Sequence, residues 1–180
     1  MNIINIIGIG IGLAMDAFAV SIADGSGLKT FSFKRIIKPA LFFAIFQAIM
    51  PIIGWLAGNS LYSYVSNYGK YISAALLIAI SVKMAYDAIK NNEINSIGDN
   101  YGTLIILSVA TSIDALVVGV SFALLQTTII YPAIIIGIIT FITCLLGGMI
   151  GYKIGNKYSA HSAFFGAIVL MLIALKILFI

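Results

Sequence analysis

Two aspartates stand in the middle of apolar runs, and few folds tolerate that. The run around Thr111-Ser112-Ile113-Asp114-Ala115-Leu116-Val117-Val118-Gly119 reaches from about Leu104 to about Leu125. That is long enough to cross a bilayer as a helix, which takes about 20 residues. The first run repeats the theme with Leu13-Ala14-Met15-Asp16-Ala17-Phe18-Ala19-Val20-Ser21. A charge at such depth costs about 2.5–3.5 kcal/mol on insertion scales, so an acid there is expected to serve function. With 62% hydrophobic and 9% charged residues, the chain has more apolar surface than a water-soluble domain can bury. A membrane barrel would instead alternate over segments of about ten residues. The expectation is an all-α membrane protein.

Six transmembrane spans can be drawn, at about 3–23, 40–58, 71–89, 103–124, 132–152 and 162–180. No Lys or Arg precedes the first run and Asp16 interrupts it, so a cleaved signal is not expected. Lys29, Lys34, Arg35 and Lys38 follow the first span, Lys83 and Lys90 lie at the end of the third, and Lys153 and Lys157 follow the fifth. The alternate loops hold only Lys70, or no charge at all around Gln126–Tyr131. The positive-inside rule then makes the first, third and fifth loops cytoplasmic and places both termini outside the cell membrane. No basic face for nucleic acid and no phosphate-cradling loop is present. One cysteine, Cys144, excludes an intrachain disulfide.

The halves echo each other. Gly54-x-x-x-Gly58 matches Gly147-x-x-x-Gly151 and Lys83 matches Lys176, each at a separation of 93 residues, while Asp16 and Asp114 stand 98 apart. Three spans per half turn the second half over, so residues 1–98 and 99–180 read as an inverted three-plus-three repeat. In transporters of that build the substrate site lies at the midplane, where the repeats meet.

The candidate site collects around that plane. Gly8, Gly12 and Asp16 are spaced by four, so small residues are expected to turn this face into a close helix contact. Thr111 lies one turn before Asp114, with Ser108, Ser112, Gly119 and Ser121 nearby. Taken singly, each hydroxyl is also explained by bonding a carbonyl of its own helix. Pro51 removes the hydrogen bond to the Gln47 carbonyl, which offers a backbone and a side-chain oxygen at mid-depth; an ordinary kink is the plainer reading. Thr140, Thr143 and Cys144 occupy similar depth in the fifth span. Met15, Met50 and Cys144 read as packing, and Gly147, Gly151 and Gly155 as a close-packing stripe. Lys83 pairs by spacing with Asp87, and His161 falls in a cytoplasmic turn.

Two acids with hydroxyl, carbonyl and amide oxygens suit magnesium, calcium or manganese, and no Cys-His cluster favours zinc. Two ionised acids in low dielectric repel, so the site should hold protons or a divalent cation. That competition is a mechanism for exchange. No resident cofactor and no enzymatic chemistry are expected.

Asp16-Ala17 and Ser112-Ile113-Asp114-Ala115 in six spans, with Pro51-Ile52-Ile53-Gly54-Trp55 between, resemble the MntP-type manganese efflux pumps, themselves similar in build to the lysine-exporter superfamily. The resemblance covers essentially the whole chain. It implies a six-span inner-membrane exporter of Mn(II), with Asp16 and Asp114 at its site; together with the competition argued above, the expectation is a secondary transporter that exchanges Mn(II) for protons. Gln47 stands where some members carry an acid, which would leave one negative charge fewer. The full candidate set is Asp16, Gln47, Thr111, Ser112, Asp114 and Thr140, with manganese as substrate and the bilayer as surroundings. The competing readings are export of cadmium, calcium or magnesium, and an intramembrane aspartyl protease. The protease reading lacks any Gly-x-Gly-Asp, and Asp87 lies at a helix end.

Overall fold

The computed structural model describes residues 3–28, 30–58 and 100–157, with positions 71, 75, 78, 81, 82, 168, 171, 172 and 175. The third and sixth spans therefore lie largely outside the described residues, and Lys83, Asp87, His161 and Lys176 lie wholly outside them. Five helices are described: α1 (Ile3–Ser26), α2 (Phe33–Ala57), α3 (Tyr101–Ala110), α4 (Ile113–Leu124) and α5 (Ile130–Lys157). Three are long and apolar enough to cross a membrane, and the bent pair α3–α4 makes four if it is one span.

Helix direction follows from contacts at the two ends. At one end Lys38 on α2 lies 3.6 Å above the Tyr101 ring that opens α3, and Phe31 packs on Tyr152 near the end of α5. Lys34, Arg35 and Lys153 sit here too, so this is the basic end. At the other end, which holds no charged side chain among the described residues, the Trp55 indole donates to the Thr127 carbonyl at 2.8 Å. Helices α1 and α5 thus run from the neutral end to the basic end, and α2 and α3–α4 run back.

Helix α2 begins at Phe33, earlier than its apolar run, and continues through Pro39 and Pro51. The larger departure is in the fourth span. The sequence reads as one helix over 103–124, but the chain breaks at Thr111–Ser112 and bends by 42°. The hydroxyls explain how the break is held. Thr111 Oγ1 donates to the Leu107 carbonyl at 2.9 Å and Ser112 Oγ to the Ser108 carbonyl at 2.7 Å. The Leu107 carbonyl also takes the Thr111 N–H at 2.9 Å, whereas the Ser112 N–H turns to Val109 at 3.1 Å, so the Ser112 hydroxyl supplies the donor that the Ser108 carbonyl lacks at this helix end.

Glycines set the close helix crossings. A methyl on Gly54 would land on the Leu116 carbonyl, and one on Gly119 would land on the Pro51 carbonyl. These fix α2 against α4. On the other side Gly147, Gly151 and Gly155 of α5 lie against the carbonyls of Phe18, Ile22 and Ser26 on α1, which makes the predicted packing stripe a real one. The contacts echo the sequence match: Gly54 against Leu116 and Gly147 against Phe18 join residues that correspond between the halves. Gly137 of α5 sits against Ala44 of α2, and those two residues correspond to each other.

The face of Gly8 and Gly12 does not behave as expected. Both are exposed, and among the described residues nothing lies within 4 Å of an added methyl. Among the described residues the covered face of α1 carries Gly10, Leu13, Ala17 and Val20, with Gly10 set against Ile136 and Ile139 of α5.

Two apolar layers result. Ala17, Val20, Ala23, Ala40, Phe43, Leu104, Leu107, Ala110 and Cys144 form one buried cluster, every member lying on the basic-end side of Asp16, Gln47, Asp114 or Thr140 along its helix. Leu13, Ala115 and Ile136, with Ile9, Met50 and Val118 packed on them, form the other, on the neutral-end side.

Candidate functional site

The polar residues predicted from sequence lie between these layers. Asp16 sits mid-way along α1 and Asp114 in the first turn of α4. Leu13, one turn before Asp16, and Ala115, next to Asp114, pack in one cluster with Ile136, which puts the two acids beside the same apolar layer. Asp16 is half-buried and Asp114 exposed, so the pair borders accessible space. The backbone N–H of Ala115 donates to Asp114 Oδ1 at 2.8 Å. An anion at a helix N-terminus gains about 0.3–1 kcal/mol from the helix dipole. The break therefore does more than bend the chain, because it builds an anion-favouring helix terminus under Asp114. Half-helix ends of this kind form the binding sites of many transporters.

Gln47 is fully buried, at 0% exposure. Its Nε2 donates to the Leu13 carbonyl at 2.7 Å. Leu13 lies one turn before Asp16, so this bond ties α2 to the acid-bearing helix. Gln47 Oε1 has no hydrogen-bond partner among the described residues. A buried amide oxygen left unmatched carries a desolvation cost of about 1–3 kcal/mol. With the nitrogen fixed on Leu13, the amide cannot flip to hide that oxygen without losing its donor bond. The geometry leaves a buried neutral oxygen with no donor among the described residues.

Thr140 is equally buried, and its hydroxyl donates to the Ile136 carbonyl at 2.9 Å. One turn away, Gly137 meets Ala44 and Ala48 of α2, which brings the Thr140 and Gln47 segments together. The own-helix reading thus accounts for the hydroxyl protons of Thr111, Ser112 and Thr140; each oxygen keeps lone pairs to offer. Among the described residues no three His, Cys, Asp or Glu side chains are grouped to hold a metal.

Sequence reasoning did not anticipate two features. The Leu13 carbonyl has no side-chain signature and could not be found that way. The helix break had one: Thr111-x-x-Asp114 has the form of a helix-start signature, and Leu13-x-x-Asp16 does not.

Residues 30–178 match the model of the family described as "Putative manganese efflux pump". Relatives named "Putative manganese efflux pump MntP" include one from Methanosarcina acetivorans, 43% identical over 94% of this chain and 92% of the relative. Another, from Crocosphaera subtropica, is 43% identical over 99% and 96% of the two chains. "Putative manganese efflux pump MntP 2" of Clostridium botulinum strain Langeland is 44% identical over 98% and 94%. No solved structure matches.

Proposed function

The chain belongs to the family described as "Putative manganese efflux pump", and on that premise we propose that it exports Mn²⁺ across the cell membrane in exchange for protons. The observation that carries the mechanism is the Asp16–Asp114 pair, two carboxylates set along their helices between two apolar layers. Like charges so placed favour occupancy by protons or by one divalent ion, and not by neither. Gln47 Oε1 adds an oxygen without adding charge, so two acids balance one Mn²⁺. Thr111, Ser112 and Thr140 complete an oxygen-rich shell suited to a hard divalent cation.

Exporting a divalent ion against 100 mV costs roughly 4.6 kcal/mol from voltage alone. Inward movement of about two protons cancels that electrical cost. The two halves, 1–98 and 99–180, act as an inverted repeat of six spans around the site, with both termini outside. The matched glycine contacts of α1–α5 and α2–α4 support this arrangement.

The test is flux in proteoliposomes loaded with a panel of divalent ions under set pH gradients. Mn²⁺ should move, faster with an opposing proton gradient, and its movement should carry protons the other way. Absence of Mn²⁺ flux under every gradient overturns the reading.

A further inference from the structure

The neutral end holds a cavity of about 90 Å³ lined by Ile6, Thr127, Thr128, Tyr131 and Pro132, room enough for several waters. Its position relative to the acids follows from the helices. Ile6 lies ten residues before Asp16, about 15 Å along α1, and Thr127 follows the end of α4, the helix that starts under Asp114. The cavity is therefore at the same end for both acids. Ile6 and Leu13 are seven residues apart and share the buried face of α1. Leu13 belongs to the smaller apolar layer. That layer is what separates the carboxylate plane from the cavity.

Resting on the reading of the chain as a cation exporter, we propose that this cavity is a second, weak site: an outer waypoint that takes a hydrated divalent cation after it passes the Leu13–Ala115–Ile136 layer. Three of its five lining residues carry neutral oxygens. The Thr127 hydroxyl donates to the Phe122 carbonyl at 3.0 Å, so its lone pairs are what it has left to offer. Between Leu125 and Tyr131 no side chain is charged. A carboxylate here would hold a departing divalent ion, and a lysine would repel it. Neutral oxygens contact the hydrated ion and release it, as a conduction path requires.

The turn that builds the cavity is fixed in place. Trp55 holds the Thr127 carbonyl. The N–H of Thr127 donates to Phe122 and that of Gln126 to Ala123, both at 3.0 Å, with Gln126 in the left-handed region at φ 52°. This is the helix-ending pattern usually given to glycine.

Charge placed at Thr128, an exposed position, tests the waypoint. In proteoliposomes Thr128→Lys should lower the maximal rate of Mn²⁺ efflux about tenfold with the loading-side half-saturation unchanged, the size expected of a unit charge acting on a divalent ion at close range. Thr128→Asp should make efflux sensitive to Mn²⁺ on the release side at about tenfold lower concentration. Thr128→Ser should match the parent. Charge variants indistinguishable from a transporting parent overturn the waypoint alone. A parent that moves no cation overturns the exporter reading and the waypoint together.

Discussion

Asp16 and Asp114 correspond in sequence, yet the helices that carry them differ. Helix α1 runs unbroken from Ile3 to Ser26, whereas the span carrying Asp114 breaks just before the acid and bends by 42°. The two runs differ in the three residues ahead of each acid. Leu13-Ala14-Met15 are good helix formers with no competing polar groups. Thr111-Ser112-Ile113 put two hydroxyls where they bond back to Leu107 and Ser108, and the helix stops. A paired acid can thus be set on a continuous helix on one side and on a helix terminus on the other. The two carboxylates then receive different support: α4 gives Asp114 an aimed N–H and a dipole, and α2 gives the α1 side a Gln47 amide anchored on Leu13.

The largest effect expected tests whether both kinds of support serve one site. Asp16→Asn and Asp114→Asn should each reduce Mn²⁺ flux to background while the protein still accumulates in the membrane. If one variant transports like the parent, the two acids are not a unit and the comparison between them loses its meaning. Binding should weaken as pH falls, because protons and metal compete for the same carboxylates, and metal binding should release protons. Titration calorimetry in buffers of different ionisation enthalpy counts them. Gln47→Glu adds a third like charge and should increase the number released.

Much of this arrangement was legible in the chain. Run length, the mid-run acids and the matched glycines indicate membrane helices and the plane where they meet, because hydrophobic thickness and the cost of buried charge act on composition directly. The break was not read, because Thr111 and Ser112 are compatible with a helix as well as with its end; only the carbonyls they reach decide. Among the described residues no neighbour covers the Gly8 and Gly12 face of α1, and spacing alone could not say so. Spacing puts Gly8 and Gly12 on the face of Asp16, but spacing does not say which face a neighbour covers. The Gly10 and Leu13 side is covered by α5, where Ile136 and Ile139 fill the space.

A smaller effect separates those two faces. Gly119→Ala and Gly54→Ala place a methyl on a backbone carbonyl of the facing helix, where neither side can yield by a rotamer change. Overpacking of this kind costs about 1–3 kcal/mol. Gly12→Ala meets open space among the described residues and replaces glycine in a helix interior, which should stabilise by about 0.5–1 kcal/mol. Thermal unfolding in detergent should therefore move down for the first two variants and up for the third. A downward shift for Gly12→Ala of the same size would mean that this face of α1 is packed after all.

The smallest stability effect, and the sharpest test of the comparison, comes from exchanging the lead-in residues. Thr111→Leu with Ser112→Ala gives Asp114 the same two residues that stand three and two places before Asp16. Two hydroxyl bonds are lost, each worth about 1 kcal/mol net. Against that, hydroxyls bonding back to their own helix bend and slightly destabilise it, and Leu and Ala are the better helix formers. The terms oppose, so the net change in unfolding should be under about 1 kcal/mol. The function should respond more strongly than the stability does. If the span straightens, Ala115 regains an in-helix acceptor, and Asp114 loses both its donor and its place at a helix terminus. Hydrogen exchange at residues 111–115 should then slow toward that of residues 13–17, and Mn²⁺ half-saturation should rise. Unchanged exchange with unchanged transport would mean that the break is imposed by the packing of α3 and α4 on α2, through Tyr101–Phe42 at one end and Gly119–Pro51 at the other, and that the hydroxyls follow the bend instead of making it.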